Sequence, residues 1–287
     1  MRLIIKTLPV NFNYFLYSCD HEGDVLRHKK GFEKMCHMMH SEYEGCKKNF
    51  AWDHGDPIEG IEVNDPRYHY ATVDPKTPLP MLQMYQAIKS RKPIAHMILG
   101  MNESNHPKKL WRFGPITQTM CDELKVPYAT WTGKLIARDS RGQLLFKSYH
   151  THGKKPINSM APEPITREAT LKRTLKNQLR LMAGDCILMS KAHTHKLIVV
   201  EPEKELYMTD DGEKIKQGYT DDYTHQTDEF IHPDHRTYVC AGSFLRLFGD
   251  GVSGYAEEAE YPPIELGFAI ARFRDRQLVK TDKIYLD

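Results

Sequence analysis

The residues of this chain that could do chemistry gather in five short polar clusters, each just past an apolar run: Asp20-His21, Gly55-Asp56, Asn105-His106, His152-Gly153 and His193-Thr194-His195. The last is the most telling. Ile187, Leu188 and Met189 read as a buried strand, and His193-Thr194-His195 follows where that strand should emerge at a sheet edge. Residues i and i+2 of an extended chain point the same way, so both imidazoles can address one metal pair. Carboxylate, amide oxygen and imidazole are together a donor set suited to manganese, iron or zinc.

Positioning those clusters requires alternating elements. Residues 12–18 read as a strand, 31–44 as a helix from the spacing of Phe32, Met35, Cys36, Met39 and Tyr43, and 50–52 as a short second strand. Residues 79–91 read as a helix and 93–100 as a strand ending in the loop that carries Asn105. The stretch 108–124 is helical in part, with Gly114-Pro115 interrupting it. A hairpin turning at Ser140-Arg141-Gly142 follows, and its second strand ends at His150-Thr151-His152-Gly153. The spacing of Leu171, Leu175, Leu179 and Met182 predicts a helix over 166–182 with Thr166 as its cap. Strands are expected around 237–247 and 264–285. The segment 209–236, rich in Asp, Tyr, Thr and Gly, reads as a long loop, so the organisation expected is one domain over 1–287 with an insertion at 204–236.

In order and type, the five clusters resemble the motifs of the calcineurin-like metallophosphoesterases: Asp-x-His, Gly-Asp, Gly-Asn-His, His, and Gly-His-x-His. The resemblance covers residues 12–200, and Ala241-Gly242-Ser243-Phe244 is similar to a Gly-Ser strand that often follows. It implies an α/β fold of two facing mixed β-sheets flanked by helices, a four-layer α/β/β/α sandwich. It also implies two divalent metal ions (Mn, Fe or Zn), which clamp a phosphate and activate water for in-line displacement. In that arrangement Asp56 bridges the metals; Asp20, His21 and His195 complete one site; Asn105, His152 and His193 complete the other; and His106 is the general acid or a phosphate contact. His152 is preferred to His150 because it directly precedes glycine, and His54 reads as a neighbour. Three departures stand out. Asp20 and His21 are adjacent instead of separated by one residue, so that matching on His-x-Gly puts Cys19 in the aspartate's place; Ser104 and Ala192 replace glycines.

The function expected is a metal-dependent phosphoesterase, favoured as a phosphodiesterase on a nucleotide or nucleic-acid substrate; the alternatives are a phosphomonoesterase or a non-catalytic metal- or nucleotide-binding descendant. The 287 residues carry a net charge of +2, which advertises no strong nucleic-acid footprint. Basic residues on one face of the 166–182 helix and Lys154-Lys155 could still track a phosphate backbone. Six cysteines without a Cys-x-x-Cys fit a reduced, cytoplasmic setting. The first 19 residues are apolar but interrupted by Lys6 and Pro9, and read as a strand entering the core, not a membrane span.

Overall fold

The structure is a computed structural model, and it describes residues 1–220, 226–227 and 229–287. In chain order the first half runs β1 (Arg2–Thr7), β2 (Phe12–Tyr17), α1 (Lys29–His40), β3 (Asn49–Asp53), α2 (Pro80–Arg91), β4 (Ile98–Met101), α3 (Asn105–Lys109), α4 (Ile116–Leu124), β5 (Thr132–Arg138) and β6 (Leu144–Thr151). The second half adds α5 (Pro164–Leu179), β7 (Leu188–Lys191), β8 (Leu197–Val200), β9 (Leu206–Asp210), β10 (Ile215–Tyr219), β11 (Thr237–Ala241), α6 (Tyr255–Glu258), β12 (Gly267–Arg274) and β13 (Gln277–Tyr285).

These strands form two large mixed sheets and one separate hairpin. One sheet has the order β1-β5-β6-β7-β11-β8, the other β13-β12-β2-β3-β4, and β9 pairs only with β10. All six residues of β2 are buried because successive side chains point to opposite faces of the sheet and both faces are covered. Phe12, Tyr14 and Leu16 meet Leu135, Phe146, Leu188 and Val239 of the other sheet, while Phe15 and Tyr17 on the opposite face meet Phe32 and Met35 of α1. The outer face of the first sheet presents Tyr149, Met189 and Tyr238 to Leu175 and Leu179 of α5. Helices therefore cover both outer faces, and the sheets face each other.

Parallel pairing then decides where the polar clusters go. β2 runs parallel to β3 and β3 to β4, and in the other sheet β6 runs parallel to β7. Their carboxyl ends lie on common edges, and the segments that follow carry Cys19 to His21, Asp56, Asn105, His152 and His193 to His195.

Several elements depart from the sequence reading. The N-terminal run is two strands, not one, because Pro9 breaks it; β1 joins the sheet opposite β2, as an edge strand that leaves Leu3 and Ile5 exposed. Residues 92–97 form 3-10 turns after Pro93, so the strand expected at 93–100 is confined to Ile98–Met101. Helix α5 starts at Pro164 with Glu163 at the cap position; proline's fixed φ suits a first helical turn, and Thr166 lies inside. Within 204–236 the expected loop contains the β9–β10 hairpin, whose turn holds Asp211-Gly212; residues 221–225 and 228 of that stretch lie outside those described. No helix among the described residues is long and apolar enough to cross a membrane, and all six cysteines are unpaired.

Candidate metal centre

The backbone at the sheet edge is bent into unusual conformations to deliver its side chains. Cys19 (φ 55°), His21 (50°), Asp56 (51°), His193 (73°) and His195 (51°) all occupy the left-handed region. Non-glycine residues adopt it at a cost, and such strain concentrates at functional sites. It overturns the pleated picture of His193-Thr194-His195: the two imidazoles are not side by side on one strand face but reach two neighbouring clusters.

The first cluster joins Asp56, Asn105, His152 and His193. His152 Nδ1 lies 2.8 Å from the His54 carbonyl oxygen, which only accepts, so Nδ1 carries a hydrogen and Nε2 is the nitrogen turned towards the other side chains of the cluster. His152 Nε2 lies 2.8 Å from Asn105 Oδ1 and 3.0 Å from Asp56 Oδ2. His193 Nδ1 stands 2.9 Å from the same Asn105 oxygen. Two imidazole nitrogens, an amide oxygen and a carboxylate oxygen thus converge at a spacing that a shared proton or a cation can fill. Asp56 is fixed from behind: Ser104 Oγ accepts its backbone N–H at 2.7 Å, and its Oδ1 accepts from the His106 N–H at 3.2 Å. Burial would raise its carboxyl, but His152, His106 and His21 hold it well below the usual carboxylate range.

The second cluster joins Cys19, His21 and His195. One donor atom from each lies within 4.8 Å of the others, as is true of Asp56, His152 and His193. His21 Nδ1 donates to Glu59 Oε2 at 2.6 Å, and its Nε2 is 3.3 Å from His195 Nε2. Burial works against a charged His21, but the Glu59 carboxylate outweighs it and holds the imidazole well above its ordinary value, so the position favours positive charge. Burial pulls His193 down to about 4 and His195 down to about 3, leaving both rings neutral at pH 7, the form in which imidazole binds metals.

Asp20 belongs to neither cluster, and here the expected ligand set is corrected. With Cys19 and His21 both at positive φ, the residue between them is turned the other way. Its carboxylate receives Arg27 Nε at 2.7 Å, Arg27 Nη2 at 3.0 Å and Arg91 Nη1 at 3.0 Å. Arg91, itself buried, also holds Asp53 at 2.9 Å. Both lone-pair faces of Asp20 are thus committed to guanidinium groups, and Cys19 takes its place beside His21, as matching on His-x-Gly would have it.

Glu59 is the functional residue that the sequence reading missed. It accepts from His21 Nδ1, and its backbone carbonyl accepts from His106 Nδ1. A histidine ligand needs a partner on its second nitrogen to fix its tautomer, and Glu59, three residues past Asp56, was the carboxylate placed to provide it. His106 lies in the same cleft as His21, Asp56 and His193, with its Nδ1–H committed to the Glu59 carbonyl and only Nε2 left to exchange a proton. His150 is buried more deeply, against Tyr14, Ser148 and Ser190, and does not join the donors. The site therefore brings together His21, Asp56, Asn105, His106, His152, His193 and His195.

No family model matches the chain, and no curated protein matches it. The side chains of the two clusters could hold a metal ion. One cluster offers carboxylate, amide and two imidazoles, the other a thiol and two imidazoles; a carboxylate serves the first, and Glu59 backs the second.

Proposed function

We propose that this chain is a dinuclear-metal phosphoric ester hydrolase with a metallophosphoesterase-like sandwich fold, acting on a phosphodiester of a nucleotide or nucleic acid. The observation that carries the reading is the closeness of two donor sets: one donor atom each of Asp56, His152 and His193 lies within 4.8 Å of the others, the same holds for Cys19, His21 and His195, and the His21 N–H donates to the Asp56 carbonyl oxygen at 3.1 Å. A pair of divalent cations held there supplies charge to a phosphate and acidity to a water molecule. Asp56, Asn105, His152 and His193 would hold one of them, and Cys19, His21 and His195 would hold the other, with Asp56 the carboxylate that would serve both.

The chain's own residues account for the rest. The His54 carbonyl and Glu59 fix the second nitrogens of His152 and His21, so neither ring is free to rotate or to take the wrong tautomer. His106 keeps its hydrogen on Nδ1 against the Glu59 carbonyl, and burial pulls the ring below its ordinary value, so Nε2 faces the cleft as an acceptor that can take a proton from the attacking water or contact the phosphate, acid–base catalysis worth about 10²–10⁴-fold. The cleft walls favour a diester over a monoester. Ile61, Leu247 and Ile264 offer apolar surface beside the donors, which suits a phosphate with organic groups on two oxygens.

Metal analysis of the purified protein together with turnover of bis(p-nitrophenyl) phosphate and p-nitrophenyl phosphate tests this reading. Two metals per chain with preferential diester turnover are expected. One metal without turnover of either ester would replace the enzyme with a non-catalytic binding protein.

A further inference from the structure

The donors open into a cleft of about 540 Å³, within the range of ~300–1,000 Å³ typical of small-ligand sites. Its outer walls come from the loops after β3, β6 and β11. Three cations line it: Arg67, Lys196 and Arg246. Arg67 is engaged with Asp65 through Nε and Nη2, both at 3.0 Å. Neither Lys196 nor Arg246 has a side-chain partner among the described residues. Lys196 follows directly on His195, and Arg246 stands on the loop after β11, so two uncommitted positive charges share one cleft with the phosphate-directed donors.

The scissile phosphate belongs to the donor clusters, and these cations are therefore available to a second anion. The basic face of α5 stands apart from this cleft: none of its basic residues lines it, Lys172 pairs with Glu168, Lys176 pairs with Asp234, and Arg167 donates to the carbonyls of Ala161 and Pro162. Building on the phosphodiesterase reading, we propose that Lys196 and Arg246 form a subsite for a second phosphate, and that the substrate is a compact, nucleotide-sized phosphodiester carrying one. The second phosphate comes from the terminus of a nucleotide, not from the next link of a long strand, and the half-buried Leu247 and Ile264 receive its apolar portion.

Calorimetric binding to the manganese-loaded protein tests this, with thymidine 5′-monophosphate, thymidine 3′,5′-bisphosphate and an oligothymidylate of about twenty nucleotides as probes. The bisphosphate should bind about tenfold to hundredfold more tightly than the monophosphate, the size of a charge-assisted hydrogen bond. Arg246→Met and Lys196→Met should each bring that ratio close to one. Equal affinity for the two nucleotides in the natural protein, or a ratio that survives both substitutions, would overturn the subsite. An oligothymidylate that binds more tightly than the bisphosphate would overturn the compact substrate and assign the cations to a flanking backbone phosphate. Turnover of bis(p-nitrophenyl) phosphate separates the two levels: hydrolysis without the nucleotide preference sinks the subsite alone, whereas a preference without hydrolysis of any diester sinks the enzyme reading and leaves the subsite standing.

Discussion

Left-handed backbone occurs in both clusters, but the Asp56–Asn105–His152–His193 cluster has His152 oriented by a backbone carbonyl, and the Cys19–His21–His195 cluster has His21 oriented by a carboxylate. In the first, the His54 carbonyl fixes His152, while Ser104 and the His106 N–H fix Asp56. In the second, all three donors have positive φ and Glu59 is the carboxylate that orients His21. The donors also differ in softness: a thiol favours zinc, whereas carboxylate and amide oxygen are at home with manganese or iron. The two halves of this centre are expected to differ in affinity and in metal preference.

Replacing Asp56, the residue proposed to serve both halves, should have the largest effect. Asp56→Asn removes the charge that offsets two dications, and metal content should fall from two towards none with turnover down by about 10⁴-fold or more, the upper end for one positioned group. Retention of one metal would show that the carboxylate serves a single cluster. His106→Ala should come next, slowing turnover by about 10²–10⁴-fold with both metals retained. Metal loss as complete as in His193→Ala would make His106 a ligand instead.

Cys19 and Asp20 sharpen the contrast, because the chain places them side by side with opposite duties. Cys19→Ser should weaken metal at the His21 cluster by at least the 10–100-fold typical of disturbing a ligand's support, while the Asn105 cluster stays loaded. Asp20→Asn should leave metal content unchanged and destabilise the fold by about 3 kcal/mol, since Arg27 and Arg91 lose a buried counter-charge. The sign with pH follows from the Asp20 carboxyl, which burial would raise but Arg27 and Arg91 hold below its ordinary value of 3.8. A depressed carboxyl contributes stability that is present above the unfolded value and lost as pH falls through the folded one. The natural protein should therefore lose stability below about pH 4 more steeply than Asp20→Asn, and urea titrations across that range would show it. Loss of metal in Asp20→Asn with none in Cys19→Ser would reverse the assignment.

A smaller change is expected at the orienting carboxylate. Glu59→Gln keeps a hydrogen-bond acceptor for His21 but removes the charge, so metal affinity at the Cys19 cluster should fall by about 10–100-fold. An unchanged affinity would mean that the left-handed backbone alone aims His21.

The backbone-oriented cluster was also the more legible in sequence. Gly55-Asp56, Asn105, His152-Gly153 and His193 each follow a strand whose apolar run is readable, and parallel pairing brings those strand ends together. The mixed α/β character was legible in the same apolar runs, whereas the facing of two sheets was expected only from the family resemblance, since β2 is buried at every position and shows no alternation. What periodicity misses is backbone sign. Nothing in the types of Cys19, Asp20 and His21 announces that the outer two adopt positive φ and expose the middle one to two arginines, and Arg91 lies 71 residues further along. Glu59 was hidden because its role is set by distance to His21 and not by spacing. The β9–β10 hairpin escaped because its strands are almost entirely exposed and so lack the apolar alternation of a half-buried strand.

The smallest effect is expected beneath the backbone-oriented cluster, where a buried chain of hydrogen bonds links the two sheets. His54 Nε2 and His150 Nδ1 each lie 2.6 Å from Ser190 Oγ, and His150 Nε2 is 2.7 Å from Ser148 Oγ and 3.0 Å from the Tyr14 hydroxyl. Burial drives His54 down to about 3 and His150 well below its ordinary value, so this is a neutral network and not a store of charge. Ser190→Ala leaves two ring nitrogens facing a methyl group, and each unsatisfied buried group costs about 1–3 kcal/mol. Because the His54 backbone carbonyl, not its ring, holds His152, the loss should appear in thermal stability while metal content and turnover stay within about twofold, well short of the 10–100-fold loss that follows when a ligand's partner is disturbed. A larger fall in metal affinity at the Asn105 cluster would mean that the His54 ring must be anchored for its carbonyl to stay in line, and the orientation of the first cluster would then rest on side chains as much as that of the second.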